Sequence, residues 1–510
     1  MNLPSKARST QNGDHADRQP VSPQVVVIGA GPAGLTAAYE LSRHQVRSTI
    51  LEAESVVGGL SRTVPYKGYL FDIGGHRFFT KVSLIENLWR EILGDDLIIR
   101  SRRSRIYYKK RFFAYPIEPV NALLDLGLIE SARCALSYLR AKAWKREPED
   151  DFATWVSNRF GKRLFQIFFK TYTEKVWGIS CNEIKAEWAA QRIKGLSLRT
   201  LLRNAFIPNL DPKKQRVIKT LIQEFLYPRR GPGMMWEKTR DLVEERGSQV
   251  LTNTPVEKIF WKAGGVESVM AGGSLYRGTH FISSMPIREL IKRLEPAPPE
   301  NVLRAAEDFH YRDFLTVALI VKRENVFPDH WIYVHDPAVQ LGRIQNYKNW
   351  SGDMVPDPKT TCLGLEYFCS EGDELWNMPD EALIQLASRE LASLDLTPFD
   401  SVVDGTVVRV KKAYPVYDDT YRRGLTAIQS FLTSVPNLQL VGRNGMHRYN
   451  NQDHSMLTAV LAARNVFGAQ HDLWNVNADY EYHEEGAPIT EEEIRLWKTT
   501  QPVVPSRIGT

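Results

Sequence analysis

The chain has 510 residues, too many for one simple core at about 100–200 residues per domain. Its hydrophobic share of 43% and charged share of 25% are ordinary for a globular protein. The excess of 66 Lys and Arg over 60 Asp and Glu leaves +6, which suits an anionic small ligand and does not indicate nucleic acid.

Residues 1–22 are rich in Ser, Gln, Asp, Arg and Pro, lack the apolar centre of a signal peptide and read as a disordered tail. Residues 24–53 read as one βαβ unit: a strand from Gln24 to Ile28, a helix from Pro32 to His44, and a strand from Arg47 to Ala53. Residues 119–207 are helix-periodic and aromatic-rich, and Pro208 to Pro212 breaks that pattern. Strand-like segments follow, such as Phe281 to Ser284 and Phe314 to Lys322. The last helix is expected from Ser455 to Phe467, with Gly468 at its C-cap. The predicted architecture is α/β: a Rossmann-like domain from residues 23–115, 208–300 and 436–475, a helical domain over 116–207, an antiparallel-sheet substrate domain over 301–435, and a C-terminal extension over 476–510. Cys134, Cys181, Cys362 and Cys369 lie far apart without a C-x-x-C, which disfavours a disulfide framework or a metal site and favours a reducing cytoplasm. No apolar run reaches the ~18 residues of a membrane span.

Gly29, Gly31 and Gly34 form G-x-G-x-x-G at the first strand-to-helix turn, with Glu52 at the end of the second strand. The first glycine permits the tight turn, the second lets a pyrophosphate approach the backbone, and the third lets helix pack on strand. The helix start favours an anion, and the acid would accept ribose hydroxyls. A glycine turn used only for packing is the plain alternative. Gly58-Gly59 with Arg62, and Gly74-Gly75-His76, favour FAD over NAD, because a longer dinucleotide needs backbone close to its ring portion. Gly442-Arg443 and Asn450 to Ser455 at the start of the last helix would aim N–H groups at the flavin pyrimidine; an ordinary cap is the alternative.

Taken together and in order, these segments resemble the flavoprotein superfamily of amine oxidases, protoporphyrinogen oxidase, carotenoid desaturases and UDP-galactopyranose mutase. The nearest likeness is to the mutase, over most of residues 24–470. GGHRFF (Gly74 to Phe79), AYPIEP (Ala114 to Pro119), YTEKVWG (Tyr172 to Gly178), AEWAAQRI (Ala186 to Ile193), YPRRGPGMMW (Tyr227 to Trp236), SSMP (Ser283 to Pro286), AYPVYD (Ala413 to Asp418) and HRYNNQDHSM (His447 to Met456) carry it. The resemblance implies an amine-oxidase-type FAD fold. Beyond the glycines and Glu52, it places Pro32, Ala33, Leu60, Gly75, His76, Val256, Ser284, Met285, Arg443, Asn451, Gln452, Asp453 and Ser455 at the cofactor.

The implied reaction converts a nucleotide-bound hexopyranose to its furanose through an adduct at N5 of reduced FAD, with NAD(P)H as a candidate reductant. Arg192, Arg343 and Arg448 would hold the leaving diphosphate, and His76 would adjust the flavin by position. Tyr115, Tyr172, Tyr333, Tyr347 and Tyr414 would line the substrate pocket. Two departures stand out. If Tyr347 is the mutase substrate tyrosine, Gln340 falls where the mutase has an arginine, with Arg343 nearby. Glu118 replaces an amide near the nucleobase, and a carboxylate only accepts. The rival function is an FAD oxidoreductase taking hydride from a small molecule; a flavin-binding scaffold without turnover is the third. The run Arg100 to Arg105 is either a solvated face or a patch steering an anion. Expected partners are a small molecule and a second copy of the chain.

Overall fold

A computed structural model of the chain describes residues 23–186, apart from 116, 118–121 and 123–124, and residues 224–476, apart from 419. The expected tail over 1–22, most of the extension over 476–510, the proline break at 208–212, Glu118 and Arg192 lie outside the described residues.

The first strand, Val25–Ile28, is four apolar residues long and wholly buried, as expected for a strand covered on both faces. It pairs in parallel with Ser48–Leu51 on one side and His280–Ser283 on the other. Gln249–Leu251 and Leu438–Leu440 complete a five-stranded parallel sheet. The helices Pro32–Arg43 and Gln452–Val466 pack together over it. Both are rich in buried alanine, which lets them lie close. The last helix thus begins three residues earlier than expected, because Asn451 is its cap; Gly468, at φ +90°, closes it as expected.

A second sheet of seven strands runs in the order Val402–Pro415, Tyr311–Val321, Thr361–Cys369, Arg343–Asn346, Trp331–Val334, Ser104–Tyr108, Arg111–Ala114. Here two expectations change. Residues 104–114 belong to this sheet and not to the nucleotide domain. Ser104–Tyr107 pairs with Trp331–Val334 in parallel, so the sheet is mixed, not purely antiparallel. The cause is visible in alternation: Ser104 and Ile106 point inward, while Arg105 turns out and pairs with the buried Asp329. Arg100 in the same run donates Nε to the Trp350 carbonyl at 2.7 Å. The helices Glu300–Glu307 and Tyr421–Leu432, expected in the substrate domain, instead bury Val302, Ala306 and Ile428 in the core of the nucleotide domain.

The helical portion comprises Leu128–Ala143, Phe152–Phe160, Lys162–Phe165, a π-helical turn Gln166–Lys170 and Thr171–Trp177. Asp151 caps the second of these by accepting from Thr154 N at 2.7 Å.

A Cβ placed on Gly34 would lie 1.8 Å from the Gly29 carbonyl oxygen, a backbone atom that cannot step aside. Gly34→Ala should therefore destabilise the protein by ~3 kcal/mol or more through overpacking. The measurement is the urea midpoint with and without flavin; an unchanged midpoint would show that helix and strand can part without cost.

Candidate functional site

The nucleotide end of the site is built at the turn after Val25–Ile28. Gly29 has φ +96°, which only glycine adopts freely, and Gly31 is the extended N-cap of the first helix. Gly31 differs from Gly34. A Cβ on it would meet nothing nearer than Gly59 Cα at 3.8 Å, so packing does not require this glycine. Gly58 and Gly59, at φ +98° and +51°, form the facing lip, tied down by Gly58 N donating to Ala30 O at 2.9 Å. Glu52 is buried and accepts from Ala30 N at 2.6 Å and from Glu54 N at 2.9 Å. Each carboxylate oxygen keeps a further lone pair for a hydroxyl. Ser284 Oγ donates to Ile28 O at 3.1 Å beneath Gly29. Val256 is buried, Met285 half-buried, and the Arg62 Nη1 donates to Gly59 O at 3.4 Å.

The last helix closes the cleft from the far end of the chain. Asn451 is its cap, and Ser61 Oγ donates to Gln452 Oε1 at 2.5 Å. Ser455 N donates to Asn451 O. Gly442 has φ +80°, and a Cβ placed on it would lie 3.0 Å from Ala33 Cβ, so the preceding strand end packs closely on the first helix. Arg443 donates to Asn450 O and Ala413 O and lies over the rings of Tyr414 and Tyr449. Four buried polar atoms here have no hydrogen-bond partner: His76 Nδ1, Gln345 Oε1, Gln452 Nε2 and Asp453 Oδ1, the last lying 3.7 Å from His454 Nδ1. Orphaned buried polar atoms are costly unless a ligand meets them. Together with the open edge at Gly31, they fit a long dinucleotide with a polar ring.

The reactive end lies on the seven-stranded sheet. Tyr333, Arg343 and Glu366 stand opposite one another on three neighbouring strands, so they form one row across the sheet. Gln345, two residues beyond Arg343, shares its face. Arg343 donates both Nε, at 2.9 Å, and Nη2 to Glu366 Oε2, while Gln345 Nε2 donates to Glu366 Oε1 at 2.9 Å. A Cβ on Gly75 would come within 2.8 Å of Gln345 Nε2, so this row touches the Gly74–His76 loop. Burial, then Arg443 and Arg343, hold His76 down to about 3, so the imidazole is neutral. Tyr172 packs edge-on to Tyr333 at 5.4 Å, and Tyr115 lies 4.8 Å from Tyr333. Tyr414 stacks on Tyr449 at 5.7 Å and meets Trp177 and Phe368. Burial raises Tyr172 well above the ordinary phenol range and Tyr414 to about 12, so both keep their protons.

Three expected residues are engaged within the protein itself. Tyr347 is fully buried, and its hydroxyl donates to the Asp72 carbonyl at 2.5 Å; a Cβ on Gly364 would strike its ring. It starts the short helix Tyr347–Trp350, and its hydroxyl holds the strand end that leads into the Gly74–His76 loop. Arg448 donates Nη1 to the carbonyls of Trp474 and Val476, so part of the guanidinium expected at the diphosphate is engaged by backbone. Gln340 is held by its backbone in the loop after Tyr333, with its N–H donating to Glu390. The sequence reading missed Glu366, Gln345 and Asp72. Glu366 was legible as the lone carboxylate in TCLGLEYFC, a run buried at every position. Among the described residues no group of three His, Cys, Asp or Glu could hold a metal, the four cysteines are free, and no helix is long and apolar enough to cross a membrane.

Asp72 lies just before the Gly74–His76 loop, accepting from Tyr227 Oη at 2.5 Å and Thr63 Oγ1 at 3.3 Å. Burial, against these hydrogen bonds, raises it to about 8. Two predictions follow from these geometries. Because the folded value lies above the unfolded one, the stability Asp72 contributes is complete at acid pH and is lost as pH rises through about 8. Asp72→Asn should flatten the fall in Tm between roughly pH 5 and 8; an unchanged slope would contradict this. Gly31→Ala should leave apoprotein stability unchanged and weaken flavin binding at least about tenfold, since only the ligand needs that space. Fluorescence titration with FAD checks it.

Comparison with known proteins places the chain by its fold and family. A structure of reduced UDP-galactopyranose mutase superposes with a TM-score of 0.78 at 22% identity, covering 90% of this chain and 98% of that one. A putative protoporphyrinogen oxidase from Exiguobacterium sp. superposes with a TM-score of 0.66 at 18% identity, covering 88% and 99%. By sequence, 15-cis-phytoene desaturase of Glycine max is 23% identical over 405 residues, 74% of this chain and 67% of that protein. Mitochondrial protoporphyrinogen oxidase of Nicotiana tabacum is 42% identical over 217 residues, 39% of this chain and 42% of that protein. The family model for flavin containing amine oxidoreductases matches residues 32–466, and the chain belongs to that family.

Proposed function

We propose that this flavoenzyme isomerises a nucleoside-diphosphate hexose, pyranose to furanose, with FAD held reduced and no net oxidation. The observation that carries this reading is the row Tyr333, Arg343, Glu366 beside the Gly74–His76 loop, walled by Tyr172 and Tyr414. A chamber of phenols and a guanidinium suits a hydroxylated anion better than a hydrocarbon. The mutase-like fold supports it.

Reduced FAD would supply a nucleophilic nitrogen to the anomeric carbon. The chain's own residues do the rest. The two N–H donors of Arg343 face Glu366, and an incoming phosphate would compete for them as a stronger, bidentate acceptor. Tyr172 and Tyr414, kept protonated by burial, would donate to phosphate or sugar oxygens. His76, neutral, would pack beside the ring without delivering a proton. Arg192, outside the described residues, would be the second cation. Closure of the aromatic walls would exclude water and prevent hydrolysis.

One observation favours the second reading, hydride transfer from a small molecule to flavin. Arg343 is already neutralised by Glu366, and Arg448 is engaged elsewhere, so the described chamber offers less positive charge to a diphosphate than expected. The deciding experiment offers dithionite-reduced, anaerobic enzyme a panel of nucleotide sugars. Isomerisation without oxidant, and silence in the oxidised state, is expected. Sustained peroxide production with an amine or polyene and no isomerisation would overturn it.

The charge pairing also gives a signed prediction. Glu366→Gln should release Arg343 and tighten binding of UDP by about tenfold, equivalent to roughly 1.5 kcal/mol from one charge-assisted hydrogen bond regained. The same change should lower apoprotein stability, because it leaves Arg343 buried without a counter-charge. Titration calorimetry reads the first effect; unchanged or weaker UDP binding would remove Arg343 from the phosphate site.

A further inference from the structure

Between Tyr333 and Arg343, two walls of the chamber, the chain makes a loop over residues 335–342 that touches no expected ligand. It is gripped from both sides. On one side, Lys175 of the helix Thr171–Trp177 sends Nζ to the carbonyls of Val334 at 3.2 Å, Asp336 at 2.7 Å and Leu341 at 2.9 Å. Those are all three donors an ammonium has. On the other side, Glu390 of the helix Asp380–Ser393 accepts from Gln340 N at 2.7 Å and Leu341 N at 3.1 Å, and from Tyr367 Oη at 3.0 Å. Within the loop, His335 stacks on Tyr172 at 4.9 Å with rings 11° apart, and its N–H donates to Tyr107 O.

Lys175 and Tyr172 lie three residues apart on one helix and therefore on one face. The carbonyls that Lys175 gathers belong to the segment that ends at Arg343. One side chain thus fixes the tyrosine of the helical portion against the arginine of the sheet. We propose that Lys175 is a positioning residue: its ammonium latches the 335–342 loop to the Tyr172 helix and so sets the spacing of Tyr172, Tyr333 and Arg343 across the chamber. Three carbonyl oxygens converging on one point are left without a donor unless an amine sits among them, so the latch depends on the hydrogen bonds and not only on bulk.

Burial lowers Lys175 to about 8, against the opposing pull of Glu390 and Asp336. The other groups facing it are His335, kept neutral by burial, and Tyr172, kept protonated. Above that pH the amine retains two donors and no charge. A lysine whose folded value is depressed sheds its proton first in the native state, so this group makes stability rise with pH from about 8 toward its ordinary 10.5. Local opening of the loop, which returns Lys175 to water, follows the same sign, so the closed loop is favoured over the open one in that window.

The test is hydrogen exchange of the FAD-loaded enzyme, corrected for intrinsic rates. In the parent, residues 335–342 should gain protection as pH rises through about 8, because opening returns Lys175 to water and takes up a proton. Lys175→Met should exchange there about tenfold faster or more at pH 7, with no pH step and with full flavin content. Glu390→Gln should loosen the same loop and keep the step. On the isomerase reading, on which only this readout rests, Lys175→Met should also lower kcat/KM while retaining flavin. Parent-like protection in Lys175→Met, or a parent loop without its own pH step, would overturn the latch. If Lys175→Met does not fold, the parent profile and Glu390→Gln decide. If no nucleotide sugar reacts, the isomerase reading falls and exchange still judges the latch.

Discussion

The approach of Gly34 to the Gly29 carbonyl is the constraint on which the rest of the structure depends. With no room for a single methyl group between them, the first helix lies directly on the central strand. Its start then projects free N–H groups at the edge of the sheet, where an anion is favoured. The last helix can lie on the first because both present small side chains, and its own start arrives in the same cleft. Residues some 420 positions apart in sequence are thereby brought together, as in the ion pair of Arg464 with Glu40 between these helices.

Past the nucleotide cradle, the governing fact is dryness. Glu366, Asp72, His76 and Tyr347 are all buried or nearly so, and isolated charge is expensive in such surroundings. The protein answers in two ways. It keeps His76, Tyr172 and Tyr414 neutral by burial, and it pairs the one strong cation of the row, Arg343, with Glu366. Such a pair adds little stability over an apolar equivalent, but removing one partner is costly. It fixes the guanidinium in one orientation and leaves it available to any anion that binds more strongly than a carboxylate.

How far the sequence revealed this differs by element. The βαβ unit was legible because its strand was an unbroken apolar run, its glycines sat at the turn and Glu52 ended the next strand; the structure moves those boundaries by a residue or so. Residues 104–114 were not legible as part of the second sheet. A run with arginine at 100, 102, 103 and 105 looks solvated until Asp329, more than two hundred residues away, supplies the partner of Arg105. The contacts of Tyr347 and Arg448 were not legible for a related reason. A motif gives the residue type and order, but the direction of a side chain follows from a short helical turn at Tyr347 and from carbonyls at the chain's far end for Arg448. Glu366 shows the opposite case: a carboxylate inside a buried strand advertises itself through its cost.

Cradle and chamber are therefore separable in physical terms. The cradle is backbone: glycine conformations, helix starts and one carboxylate, none of which distinguishes isomerisation from hydride transfer. The chamber is side chains on strands whose register fixes them in rows, so its chemistry is set by what stands opposite what. With Glu366 across from Arg343, the resting row is neutral and polar. A hydrocarbon would leave the hydrogen bonds within the row intact but would gain no polar contact from it. A phosphate would take the guanidinium and leave Glu366 with Gln345, which already donates to it and can hold it in place. On the isomerase reading, Glu366 and an anionic ligand would compete for the guanidinium of Arg343, and that competition bears directly on the choice of substrate.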